Sequence, residues 1–316
     1  MSTEQTYQPY YVPHNSKLPI FASLGLFLTL FGMGNMFNEM TAGDDSSFGE
    51  MVFMTGGLVM SGTLFFWFRQ VIEENHDQMY SNQLNRSFVW GMGWFIFSEV
   101  MFFAVFFGAL FYVRVYVVDW LGGVGDRGPS ELVWPDYSPH WPMLDTPDPS
   151  RFPGPQDIIS PFGLPLLNTV LLLSSSVTIT FAHHGINEGR RGKLVAWLMG
   201  TIALGLIFLG VQVYEYYHAY QDLGLTLGSG IFGTTFFLLT GFHGAHVTLG
   251  TFMLIVMLGR AFKGHFTRTD CFGFEAAAWY WHFVDVVWVG LFIFVYVFGS
   301  YNIGTLFTFV ADVFGS

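Results

Sequence analysis

The sequence predicts an all-α integral membrane protein with seven transmembrane helices, its N-terminus inside and its C-terminus outside. Three observations carry this reading. The 316 residues are 52% hydrophobic and only 11% charged, with a mean hydropathy of +0.45, and so few charges could not cover the surface of a soluble domain. Seven apolar runs each reach the roughly 20 residues that a helix needs to cross the hydrocarbon of a bilayer. If these runs are the spans, the basic residues sort to one side of the membrane.

The first two runs, 18–37 and 51–72, flank a short turn that carries Asp44 and Asp45. The third (87–118) and the sixth (229–258) are longer than the bilayer requires, so they tilt or project beyond it. The fourth, fifth and seventh cover 164–184, 194–218 and 274–299. With the N-terminus inside, the inner side holds Lys17, Arg69, Arg86, Arg190, Arg191, Lys193, Arg260, Lys263 and Arg268; only Arg114, Arg127 and Arg151 fall outside. This is the positive-inside pattern. Segment 1–17 is polar, has no apolar core of its own, and reads as neither a cleaved signal nor an Arg-rich transit peptide, so the first span serves as the insertion signal and 1–16 as a cytoplasmic N-terminal segment. The outer side is acidic, through residues such as Asp119, Asp136 and Asp157. It would steer a basic soluble partner, although solvated loop charge explains the same pattern.

The outer loop 121–163 is rich in Pro, Asp and Trp ("VWPDYSPHWPMLDTPDPSRFPGP"). Its prolines exclude a helix through most of it, and Trp134, Tyr137 and Trp141 predict an ordered cap at headgroup depth. The single cysteine, Cys271, excludes an internal disulfide and a CxxC metal site. No Walker A loop, GxGxxG turn or serine triad occurs. No basic patch suggests nucleic acid. No internal repeat supports an inverted-repeat transporter.

Ionisable groups inside the apolar runs mark a site, a partner or a proton path. Glu99 stands mid-span in "FIFSEVMFFAVFF". It handles protons, contacts another subunit, or hydrogen-bonds within the bundle. "TGFHGAHVTLG" sets His243, His246 and Gly250 on one face of the sixth span. Paired histidines could ligate haem or zinc, but no helix offers converging further ligands, and hydrogen bonds to neighbouring helices are the expected role. "AHHG" at 182–185 reads as an interface cluster, with no metal expected. In "AAAWYWHFVDVVWVGLFIF" (276–294), His282 and Asp285 share a face. "EYYHAY" (215–220) ends the fifth span in an aromatic belt, with Glu215 close enough to water to stay charged. "FFWFRQVIEE" and "GRAFKGHF" put Trp67, Arg69, Arg260, Lys263 and His265 on the inner side. There they either hold phospholipid headgroups or anchor the chain as ordinary inner cations.

These motifs occur in one order. "FWFRQVIEE", "FIFSEVMFF", "LPLLNTVLLLSSSVTITFAHH", "VYEYYHA", "GTTFFLLTGFHGAHVTLGT" and "FGFEAAAWYWHFVDVVWVGLF" together resemble subunit III of haem–copper cytochrome c oxidase, from about residue 16 to residue 300. The resemblance implies a domain over 17–300 in which a pair of helices is separated from a five-helix bundle by a V-shaped cleft filled with lipid. It implies lipid contacts at Trp67, Phe95 and Arg260, and a carboxyl-reagent-sensitive glutamate at Glu99. Glu275 opens the last of the matching motifs and joins His243, His246, His282 and Asp285 as an intramembrane polar contact. No redox centre or metal is expected in this chain. Haem a, haem a3 and copper would lie in subunits I and II, with subunit I the main contact and cytochrome c the donor to the complex. The chain would stabilise subunit I, support proton uptake and limit inactivation during turnover.

Three features depart from the family pattern. Loop 121–163 is longer than in compact members, which points to a bacterial plasma (inner) membrane rather than a mitochondrial one. Segment 301–316 continues past "FGS"; it is too short to span and predicts an interfacial helix or a docking segment. Val89 stands where many relatives carry a basic residue. Two other readings use the same residues: a quinol oxidase subunit III, which usually lacks the first two spans, and a free-standing proton-coupled transporter built on Glu99, His243 and His282.

Overall fold

In hydrocarbon every backbone N–H and C=O must pair within its own segment, so apolar runs of this length fold as helices. The structure, a computed structural model, describes residues 11–12, 16–124 and 130–300. Among these residues there is no strand, and seven helices are long and apolar enough to cross a membrane. They are α1 (Leu18–Ala42), α2 (Phe48–His76), α3 (Asn82–Leu121), α4 (Leu164–Asn187), α5 (Arg191–Asp222), α6 (Gly230–Lys263) and α7 (Phe272–Ser300). Each of the seven predicted runs lies on one of them. Most helices extend a turn or more beyond the apolar run, because polar residues at the interface still favour continued helix once it is nucleated. The predicted tail 301–316 lies outside the described residues, as does most of segment 1–16.

The chain falls into two compact units, Met1–Trp90 and Gly91–Ser316, with the division inside α3. In the first, α1 and α2 form a hairpin packed on glycine. A Cβ at Gly32 would meet the backbone nitrogen of Phe53 at 2.2 Å, and one at Gly56 would meet that of Thr29 at 2.3 Å. Only glycine permits helices to approach this closely, the usual device where lipid removes the hydrophobic drive for association. Gly43, at φ +65°, ends α1 in the left-handed conformation. The Glu39 carboxylate then accepts the Gly49 N–H at 3.1 Å and caps the first turn of α2. At the far end of α2, Glu74 gathers the hydroxyls of Tyr80 and Tyr11 and the Gln70 amide. Burial, and then the hydrogen bond to Glu74, push the Tyr80 phenol above its ordinary range.

The second unit holds the core. Trp281 and Trp288 of α7 are fully buried, with Phe208 of α5 and Leu172 of α4. Trp281 fills a slot between Gly205 and Gly250, whose Cβ positions would lie 2.8 and 3.0 Å from its ring. Its indole N–H donates to Ser175 Oγ at 2.9 Å, which satisfies a polar tip that would otherwise be stranded. In the described part of loop 121–163 one helical turn forms, Ser130–Val133, and Met143 and Ile159 are buried with the core of this unit. Trp141 lies edge-on to Phe232 at 5.4 Å, with the Arg114 guanidinium 5.9 Å from its ring. The backbone N–H of Gln156 donates to Leu223 O at 2.9 Å and ties the loop to the end of α5. Large apolar side chains such as Leu24, Phe65, Trp94 and Val213 remain exposed on the spans, as expected of surfaces solvated by lipid.

Candidate functional site

One polar site of the second unit forms between α3 and α6, beside Tyr280 of α7. Glu99 of α3 and His246 of α6, read separately from the sequence, form a pair: His246 Nε2 lies 3.0 Å from Glu99 Oε2, with the side chains 15% and 22% exposed. His246 Nδ1 lies 2.6 Å from Phe242 O. A carbonyl only accepts, so Nδ1 must carry a proton. One further proton therefore sits between Nε2 and the carboxyl group, which gives either a neutral acid–imidazole pair or a carboxylate–imidazolium pair. Phe102 and Phe103 pack on the imidazole, and Tyr280 stacks beside it. The Tyr280 hydroxyl reaches His246 O at 3.5 Å, and Phe95 also stacks on Tyr280, at 6.1 Å. The arrangement can hold a proton or pass one on, inside an aromatic enclosure.

His243, one turn earlier, faces away from this pair. It is 1% exposed, its Nε2 donates to Val284 O at 3.1 Å, and Phe208 and Trp288 flank its ring. The two histidines reach different helices, His243 the Val284 carbonyl of α7 and His246 the Glu99 carboxyl of α3. His282 and Asp285 are joined less directly than their spacing suggests. Their closest approach is 3.7 Å, and His282 Nδ1 instead bonds Ser176 Oγ of α4 at 2.8 Å. The Asp285 oxygens are buried without a hydrogen-bond partner.

Glu215 corrects the sequence reading. It is fully buried, not close to water. Helix α5 runs on to Asp222, and Glu215 turns inward toward Tyr296 of α7. Its Oε1 accepts from Tyr296 at 2.6 Å and from Gln212 at 3.1 Å, and Asn168 of α4 donates to Gln212 Oε1 at 3.2 Å. The composition of "EYYHAY" gave no sign of this network.

A second cluster forms where α4 and α6 end and α5 and α7 begin. Arg260 is half-buried, with its guanidinium 4.8 Å from the Phe266 ring. A Cβ at Gly273 would lie 2.5 Å from its Nη1, so the glycine of "FGFEA" makes room for the cation. Lys263 is exposed at the end of α6, and His265 is half-buried just beyond it. Arg191 and Arg268, read from the sequence only as inner-side cations, line a cavity of about 280 Å³ with Gly264 and Phe266. They are fixed through Ala261 O at 2.9 Å and Glu188 O at 3.0 Å. Glu275 lies 3.3 Å from His183 and 3.5 Å from the Cys271 sulfur. In the first unit, Trp67 is exposed and Arg69 pairs with Glu73 at 2.8 Å.

A family model described as "Cytochrome c oxidase subunit III" matches residues 8–126 and 151–300. The chain belongs to the cytochrome c oxidase subunit III family. Among curated relatives of that name, those of Drosophila melanogaster, Damaliscus lunatus and Sus scrofa are 36%, 38% and 37% identical to it. The alignments cover 94–95% of this chain and the whole of each relative. The chain is thus a multi-pass membrane subunit of a respiratory oxidase. The family match breaks between 126 and 151, within the Pro-rich outer loop. The Glu99–His246 pair, the Arg260 cluster and the Glu215 network all lie in the matched regions.

Proposed function

We propose that this subunit carries no haem or copper and serves the oxidase by holding a proton-exchanging pair and structural phospholipid beside the catalytic subunits. The observation that carries the reading is the Glu99–His246 pair. Two titratable side chains from different helices share one proton in an otherwise aromatic setting. Such a pair buffers protons within the membrane and fits support of proton uptake by subunit I. Arg260 with Phe266, Lys263 and His265, and the arginine-lined cavity beside them, suit the phosphate of a lipid headgroup. Trp67, Arg69 and Phe95 are the further lipid contacts. His243, Glu275, His282 and Asp285 act as helix-to-helix polar contacts. Subunits I and II hold haem a, haem a3 and copper, and cytochrome c donates to the complex. The unmatched outer loop favours a bacterial inner membrane, with the N-terminus inside.

Gentle solubilisation tests the reading. The chain is expected to travel with haem-bearing subunits. A complex stripped of it is expected to reduce oxygen at first and to lose activity sooner during turnover. The chain purified alone with stoichiometric haem or copper would overturn it.

A further inference from the structure

Three potential metal ligands that are far apart in sequence meet where α4 ends and α7 begins: His183, in the last turn of α4, and Cys271 and Glu275, at the start of α7. From these residues we propose a divalent-cation site of zinc type, with His183 Nε2, Cys271 Sγ and Glu275 Oε1 as its protein ligands. It departs from the sequence-based expectation of no metal. That expectation was framed on the neighbouring pairs His243/His246 and His183/His184, and the convergence across two helices is visible only in the fold.

The spacing of the donor atoms supports it. Zinc binds imidazole nitrogen and carboxylate oxygen at about 2.0–2.2 Å and thiolate sulfur at about 2.3 Å, in tetrahedral geometry. Those lengths place nitrogen and oxygen ligands about 3.3–3.5 Å apart, and sulfur and oxygen about 3.5–3.6 Å apart. Here His183 Nε2 lies 3.3 Å from Glu275 Oε1, and Cys271 Sγ lies 3.5 Å from the same oxygen. All three atoms fall within 4.8 Å of one another. Two edges of a coordination tetrahedron are therefore already set, and the third, between Nε2 and Sγ, is no longer than 4.8 Å.

The state of the imidazole is the second observation. His183 Nε2 is buried and has no hydrogen-bond partner, although it faces the carboxylate. A buried ring nitrogen left without a partner is costly, and a cation between it and Glu275 would satisfy both. Phe274 packs 6.0 Å from the imidazole and shields one side. The donor set of one nitrogen, one sulfur and one carboxylate oxygen is of zinc type rather than magnesium or calcium type. On binding, the thiol gives up its proton and coordinates as thiolate, and water takes the fourth position. The bound ion ties the end of α4 to the start of α7, beside the arginine-lined cavity.

Zinc protection of Cys271 from N-ethylmaleimide, measured on the detergent-solubilised full chain, tests the site. Cys271 is the single cysteine, so alkylation reports on it alone. Saturating Zn²⁺ is expected to slow alkylation at least tenfold, with one zinc retained per chain after dialysis. Mg²⁺ is expected to give no protection. His183→Gln and Glu275→Gln each keep the thiol and should each weaken protection at least tenfold, whereas His184→Gln should leave it intact. Failure of zinc to protect the wild-type chain would overturn the proposal without need of any variant. So would protection that survives in both ligand variants.

Discussion

Glu99 and His246 stand 147 positions apart in the chain and 3.0 Å apart in the structure, sharing a single proton between carboxyl oxygen and ring nitrogen. The His246 tautomer is fixed by Phe242 O on the opposite side of the ring, so the shared proton is the only one the pair can exchange without breaking a second hydrogen bond. Glu99→Gln separates proton exchange from packing. The amide can donate to Nε2, so the cost in stability should stay within about 1 kcal/mol. The oxidase should assemble with normal haem content yet lose activity severalfold faster in sustained turnover. Glu99→Ala should also destabilise, by about 1–3 kcal/mol, because it strands Nε2 in the interior. Comparing thermal midpoints with activity lifetimes distinguishes these effects. Equal lifetimes for wild type and Glu99→Gln would count against a proton role.

The spans were legible because membrane crossing is a property of local composition: about 20 apolar residues decide it wherever they sit in the fold. The family was legible because its motifs are contiguous, as in "FGFEAAAWYWHFVDVV". Pairing was not. Sequence placed Glu99 and His246 on separate helices and could not bring them together, since helix rotation and depth are set by packing against neighbours. His282 shows the same limit: its shared face with Asp285 was legible, but which neighbouring helix supplies its partner, Ser176 of α4, was not. Glu215 was misplaced because tyrosines usually mark the membrane interface, whereas α5 continues past them to Asp222.

The α1–α2 hairpin makes a sharp prediction about glycine. A Cβ at Gly32 or Gly56 would press into the backbone of the facing helix, at 2.2 and 2.3 Å, and backbone cannot move aside as a flexible side chain can. Gly32→Ala and Gly56→Ala should each cost about 1–3 kcal/mol, the usual range for overpacking. Gly57→Ala, with nothing within 4 Å of its Cβ, should be neutral or slightly stabilising, because alanine favours helix. Thermal midpoints and the rate of proteolysis in the α1–α2 turn measure the difference. Indistinguishable behaviour of Gly56→Ala and Gly57→Ala would contradict the close approach.

Glu188, in the turn between α4 and α5, gives a pH dependence of known sign. The hydrogen bond from Lys193 at 2.8 Å holds its carboxyl below the ordinary range, aided by the charges of Lys193 and Arg190. A folded-state value below the unfolded one contributes stability that is present above about pH 4 and is lost as the pH falls through the folded value. Glu188→Gln should therefore be slightly less stable than wild type at pH 7. The gap should close under acid and shrink at high salt, since the pair faces solvent. Thermal midpoints taken from pH 3 to pH 7 would show it, and a gap of constant size across that range would assign the effect to packing.

The buried Glu215 network links three helices through one carboxyl oxygen and the Gln212 amide. Tyr296 of α7 donates to Glu215 Oε1 at 2.6 Å, Gln212 donates to the same atom at 3.1 Å, and Asn168 of α4 extends the chain through Gln212. Tyr296→Phe removes one donor and nothing else, and Gln212→Leu removes the other while also stranding Asn168. Interhelical hydrogen bonds within membranes are individually modest, about 0.6–2 kcal/mol, so each single variant should destabilise by that order. The two donors converge on one acceptor, so losing both leaves it with no partner, and the double variant should cost more than the sum of the singles by about 0.5–3 kcal/mol. A double-mutant cycle on thermal midpoints of the solubilised complex measures that surplus. Simple additivity would show that the two donors act independently and that α5 is held against α7 by aromatic packing such as that of Phe208 on Trp288.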